Sequence, residues 1–135
     1  MFQKATIAGG IFFLSGMTGE ASMNDRIVTG EILDQRLAQC GVRIDGTEIA
    51  TLRPFIETSE ALTGTFRINV TKRSRSGTSM TSQSNRFANG SLGETVLAVD
   101  RPSTVVIDMQ VNGMDGKTYC RVNAEIELEE PSIRL

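Results

Sequence analysis

FRINVTKRSRSGTSMTSQSNRF, residues 66–87, reads as two β-strands joined by a glycine-containing turn. In its first half Phe66, Ile68 and Val70 alternate with Arg67, Asn69 and Thr71, the period of two of a strand with one face on a core and the other in water. The turn falls at Arg73 to Gly77. Beyond it Ser, Thr, Gln and Asn dominate through Gly90, which marks an edge strand. Met80 and Phe87 have opposite parity, so one flat strand cannot bury both, and a bulge or break is expected between them. Charge is segregated as sharply as polarity. From Ala61 to Gly93 there is no Asp or Glu, while Arg67, Lys72, Arg73, Arg75 and Arg86 all fall inside.

The same period extends to both sides. Cys40, Val42 and Ile44 alternate with Gly41, Arg43 and Asp45, and Asp45-Gly46 supplies residues suited to closing a hairpin. The run from Ile49 to Thr58 contains Pro54, which has no N–H for a central ladder and predicts an edge position or a bulge. Downstream, Glu94 to Val99 forms a short strand. Val105, Ile107, Met109 and Val111 then define one face of Thr104 to Asn112. After a turn at Asn112 to Gly116, Cys120, Val122, Ala124, Ile126 and Leu128 face one way in a last strand, Lys117 to Leu128. About seven short strands with regular turn signals and no convincing interior helix predict an all-β fold, an Ig-like antiparallel β-sandwich. The chain has no tryptophan, and its cysteines sit in the first and last of these strands, unlike those of antibody domains.

At 135 residues the chain fits one domain, expected over residues 40–130, with a tail at 131–135. Lys4 followed by the apolar run Ala5 to Met17 and by Gly19-Glu20-Ala21 has the outline of a cleaved secretory signal over residues 1–21. The run is about 13 residues, short of the ~20 a spanning helix needs, so no stable membrane insertion is expected after cleavage. In residues 22–39, Ile27, Val28, Ile32, Leu33 and Leu37 recur near helical spacing, weakened by Gly30, which predicts a mobile or partly helical leader. Cys40 and Cys120 share parity with apolar neighbours. In an exported chain an even count favours a disulfide over two buried thiols, closing a loop of about 80 residues worth ~4 kcal/mol in the chain-entropy model.

Chemistry is narrowly bounded. There is no histidine, hence no common general base and no Ser-His or Cys-His pair, and no enzyme activity is expected. Glu125, Glu127, Glu129 and Glu130 lie on an amphipathic strand and its tail, where a solvated face is the simpler reading than an acid–base pair. Two cysteines do not make a zinc site, and no glycine pattern opens a helix after a strand, so neither metal nor cofactor is expected. A net charge of −2 argues against general nucleic-acid binding. The basic stretch remains. Arg67 and Arg73 share outward parity, about 20 Å apart at ~3.3 Å per residue, and Arg86 joins them if Phe87 points inward. Such cations either guard an edge strand against aggregation or form a face for an acidic or polar chain.

Cys40-Gly41-Val42, the run Gly64-Thr65-Phe66-Arg67-Ile68-Asn69-Val70-Thr71-Lys72, Ser76-Gly77-Thr78-Ser79 with Gln83 and Phe87, and Gly93-Glu94-Thr95 together resemble the CsgC/CsgH-type curli assembly chaperones. The likeness runs from about Cys40 to Glu130 and is nearest the CsgH-like branch. It implies a periplasmic, monomeric Ig-like domain that keeps curli subunits from nucleating amyloid, guided by a positive surface. By position, Arg67, Lys72, Arg73 and Arg86 match that client-binding surface. The Cys-x-Cys motif of the CsgC branch is missing, so no thiol redox activity is carried over. The alternative expectation, of another class, is a structural or adhesive subunit of a surface fibre.

Overall fold

The computed structural model describes residues 26–130; the expected signal segment at 1–21 and tail at 131–135 lie outside the described residues. Nine strands follow in order: β1 (Arg26–Thr29), β2 (Glu31–Ile32), β3 (Leu37–Asp45), β4 (Ile49–Thr58), β5 (Gly64–Ser74), β6 (Gly77–Phe87), β7 (Leu97–Asp100), β8 (Ser103–Gly113) and β9 (Thr118–Leu128). They form an antiparallel β-sandwich. One sheet has the order β1-β3-β4-β7 and the other β2-β9-β8-β5-β6.

The alternation read from the sequence sets the core. Phe66, Ile68 and Val70 of β5 meet Val105, Ile107, Met109 and Val111 of β8, with Val42, Ile44, Ala50 and Leu52 from the opposing sheet, all nearly free of solvent. Each of these buried side chains larger than Ala50 contributes roughly 1.5–3 kcal/mol. In β9 the expected face is observed, with Cys120, Val122 and Leu128 buried and Ala124 and Ile126 packed against the core. Pro54 is paired with Val42 of β3, while β7 covers β4 only at Ile49–Leu52. Beyond Leu52 that side of β4 is an edge, where a missing N–H costs no ladder bond.

The leader differs from expectation. Within residues 26–39 there is no helix: β1 pairs with β3 through Arg26↔Ile44 to Thr29↔Gly41, and β2 pairs with β9 through Glu31↔Arg121 and Ile32↔Cys120. The domain therefore begins before residue 40, and the expected seven strands become nine. The physical cause is Gly30, where the chain crosses from one sheet to the other. Its N–H donates to the Cys40 carbonyl at 2.8 Å, and a Cβ there would meet the Arg121 carbonyl oxygen at 2.6 Å. Apolar residues at near-helical spacing were instead divided between two sheets. The Cys40–Cys120 disulfide bridges β3 and β9 along this same side, with Cα atoms 6.5 Å apart.

The expected bulge in residues 78–87 is absent as well. β6 pairs with β5 in one unbroken register from Gly64↔Phe87 to Ser74↔Gly77. The parity conflict is resolved by leaving Met80 67% exposed while Phe87 is buried. β6 extends past the cover of the opposing sheet, so its inner face needs no apolar side chains.

Candidate basic face on the five-stranded sheet

Register places the candidate side chains. On the outer face, one row runs Glu31, Arg121, Gln110, Arg67, Ser84 across β2, β9, β8, β5 and β6. A second row holds Glu127, Thr104, Arg73 and Thr78, and Arg86 lies beside Thr65. Phe87 points inward, so Arg86 points outward as expected, diagonal to Arg67 at roughly 7–8 Å between their backbones.

Arg67 donates from Nη2 to Gln110 Oε1 at 3.1 Å, and Gln110 in turn donates from Nε2 to Thr118 Oγ1 at 3.0 Å. Gln110 thus draws the Arg67 guanidinium toward β8 on the outer face of the sheet. Arg121 lies on the other side of Gln110, two strands from Arg67 or about 10 Å. Arg67, Arg86 and Arg121 are exposed and make no ion pair among the described residues. Arg73 reaches Glu125 Oε2 at 3.4 Å, an exposed contact that partly neutralises its charge.

Lys72 is not brought to this face. It has the parity of Phe66, Ile68 and Val70, so its side chain enters the space between the sheets and its Nζ lies 2.8 Å from Asp100 Oδ1 of β7. One place along a strand moves a side chain to the opposite face, which position in a basic run does not reveal. Conversely, Arg121 belongs to the cluster although it stands far away in sequence. Its outward parity in the last strand was the available signal.

The face is divided. Its β5–β6 half carries Arg67, Arg73 and Arg86 without a carboxylate, whereas β8 and β9 contribute Asp108, Glu125 and Glu127. Arg67, Lys72 and Arg73 sit on β5, between β6 and β8, so guarding an edge does not account for them. Arg43 and Arg53 stand directly opposite each other on the outside of the other sheet, Arg43 lying 4.8 Å from the centre of the Phe55 ring.

A groove of about 270 Å³ opens between β6 and β7, lined in part by Val70, Ser79, Thr81, Gln83, Val96 and Val99. Lys72 and Asp100 close one end. Asn85 Nδ2, donating to Thr95 Oγ1 at 3.3 Å, bounds the other. The two sides of the sandwich are therefore unlike: β1, β2 and the disulfide seal one, and the other is open.

No family model and no curated protein matches the chain. Among solved structures, the solution structure of CsgH from R. palustris is similar, with 20% sequence identity over 67% of this chain and 89% of that chain and a TM-score of 0.46.

Proposed function

We propose that this protein is a periplasmic chaperone that binds unfolded curli subunits and suppresses their nucleation into amyloid, acting by reversible capture and not by catalysis. The observation that carries it is the carboxylate-free half-face of β5 and β6, with Arg67 and Arg86 exposed and Arg121 beside them. The resemblance of residues 64–79 and their flanks to the CsgC/CsgH-type chaperones supplies the client class. Guanidinium groups on a rigid sheet suit carboxylates and side-chain amides, which they engage through paired N–H donors. Capture of a partly unfolded client lowers the concentration available for cross-β association without any covalent step. The Cys40–Cys120 disulfide fits an oxidising compartment outside the cytoplasm. The chaperone is expected to work as a monomer without a cofactor.

The test is a fibre-formation time course of a curli subunit with substoichiometric protein. The expected result is a prolonged lag that shortens again in high salt and disappears in the Arg67→Glu, Arg86→Glu, Arg121→Glu triple variant. An undiminished lag in a folded triple variant overturns the electrostatic reading.

A further inference from the structure

The sandwich leaves one edge unguarded. β1 and β7 have four residues and β2 has two, but β6 offers eleven residues in one regular register. Natural edges are blunted by short length, lysine, proline or a bulge. β6 contains no proline and no bulge, and Arg86 is its one charged residue.

Its free backbone groups can be assigned. The Gly113 N–H of β8 donates to Lys117 at 2.8 Å, toward β9. Antiparallel ladders alternate inward and outward bonding residue by residue. Carried across β8 and β5, that alternation turns the N–H and C=O groups of Thr78, Met80, Ser82 and Ser84 toward solvent.

We infer that the β6 edge accepts an extended polypeptide as an added strand, and that its occupant is the captured client: a chain that alternates small apolar or amide side chains with acidic or polar ones. An added strand sets every second side chain over the groove, above Val96 and Val99, and the remainder onto the outer face between Arg73 and Arg86. Charge decides between occupants. Residues 61–93 hold five cations and no carboxylate, so a second copy docked edge to edge brings like charge against like charge, whereas an acidic chain is complementary. The identity of the client rests on the function proposed above; the strand-accepting edge does not.

The experiment measures amide hydrogen exchange of the full chain with a ten-residue peptide of alternating Val and Asp. Ser82→Pro removes an outward N–H while leaving the β5 ladder whole, and Ser82→Thr is its control. The peptide is expected to slow exchange at Met80, Ser82 and Ser84. Ser82→Pro is expected to weaken binding at least tenfold, and also to lose the fibre lag with all its arginines in place. Unchanged exchange in the unaltered chain overturns strand addition whatever the variant does. Peptide binding and fibre lag that both survive Ser82→Pro likewise overturn it, and leave capture by the basic face standing. Protection of β6 by the peptide without any effect on fibres supports strand addition and removes the chaperone assignment. A dimer in sedimentation that Ser82→Pro dissolves replaces the client with a second copy and overturns the stated occupant.

Discussion

Lys72 Nζ lies 2.8 Å from Asp100 Oδ1, tying β5 to β7 across the open side of the sandwich. The Lys72 side chain is 17% exposed, against 50% for that of Arg73, the next residue. Two adjacent cations thus do different things: one pairs with Asp100 at the rim of the open side and the other faces solvent.

Lys72→Gln is therefore expected to leave the fibre lag within experimental error of the parent, while lowering the urea midpoint slightly at neutral pH. The hydrogen bond from Lys72 holds the Asp100 carboxyl below the usual carboxylate range. A lowered folded pKa stabilises above the unfolded value and loses that contribution as pH falls through the folded value. The destabilisation by Lys72→Gln should accordingly fade in acid. A variant that loses inhibition while keeping its fold would place Lys72 on the client surface after all.

Strand parity made the core legible in sequence, because Phe66, Ile68 and Val70, and likewise Val105 to Val111, each report an inward face without knowledge of neighbours. Parity also placed Arg67, Arg73 and Arg86 correctly. Three features escaped it. Gly30 looked like a weak point in a helix because a sheet-to-sheet crossing also interrupts an apolar pattern. A bulge follows only if Met80 and Phe87 both need burial, whereas the unbroken β5–β6 register sets Met80 opposite Thr71 on the solvent face and Phe87 on the core face. Arg121 joined the basic cluster through a β5-β8-β9 register that no local spacing encodes.

Acid stability provides a second prediction. Arg36 grips Asp34 through Nε at 3.0 Å, Nη2 at 2.9 Å and its backbone N–H at 2.9 Å, and these bonds lower the Asp34 carboxyl from 3.8 to about 2. The depressed value means that the contribution is complete above the ordinary carboxylate range and is lost as pH falls toward about 2. Urea midpoints measured down this range should fall less steeply for Asp34→Asn than for the parent. Parallel slopes would show that the turn at residues 34–36 opens before Asp34 titrates.

The disulfide is expected to contribute by restricting the unfolded chain, since Cys40 and Cys120 are 80 residues apart in sequence. The Cys40→Ala, Cys120→Ala double variant should lose about 2–4 kcal/mol in urea unfolding. Reductant should bring the parent close to the same midpoint and leave the variant unchanged. If reductant has no effect on the parent, the bridge is not a source of stability.

Gly30 offers the sharpest test of how the closed side is built. A side chain at this crossing would meet the Arg121 carbonyl oxygen at 2.6 Å and Val122 Cγ2 at 2.7 Å, and the first of these is backbone that cannot rotate away. β2 is held on β9 by a two-residue pairing, with Leu33 N–H donating to the Tyr119 carbonyl at 2.8 Å just beyond it. Gly30→Ala should therefore push β2 off β9 before it disturbs the core, costing roughly 1–3 kcal/mol, the range for a forced overpacking. Amide exchange should accelerate at Glu31 and Leu33, whose N–H groups face β9, and stay slow at Ile107 and Val122, which lie in the core strands. Because β6 is on the opposite side, the fibre lag should persist at temperatures where the variant remains folded. Uniform acceleration at all of these amides would mean that the crossing is an integral part of the sandwich core and not a seal added to its edge.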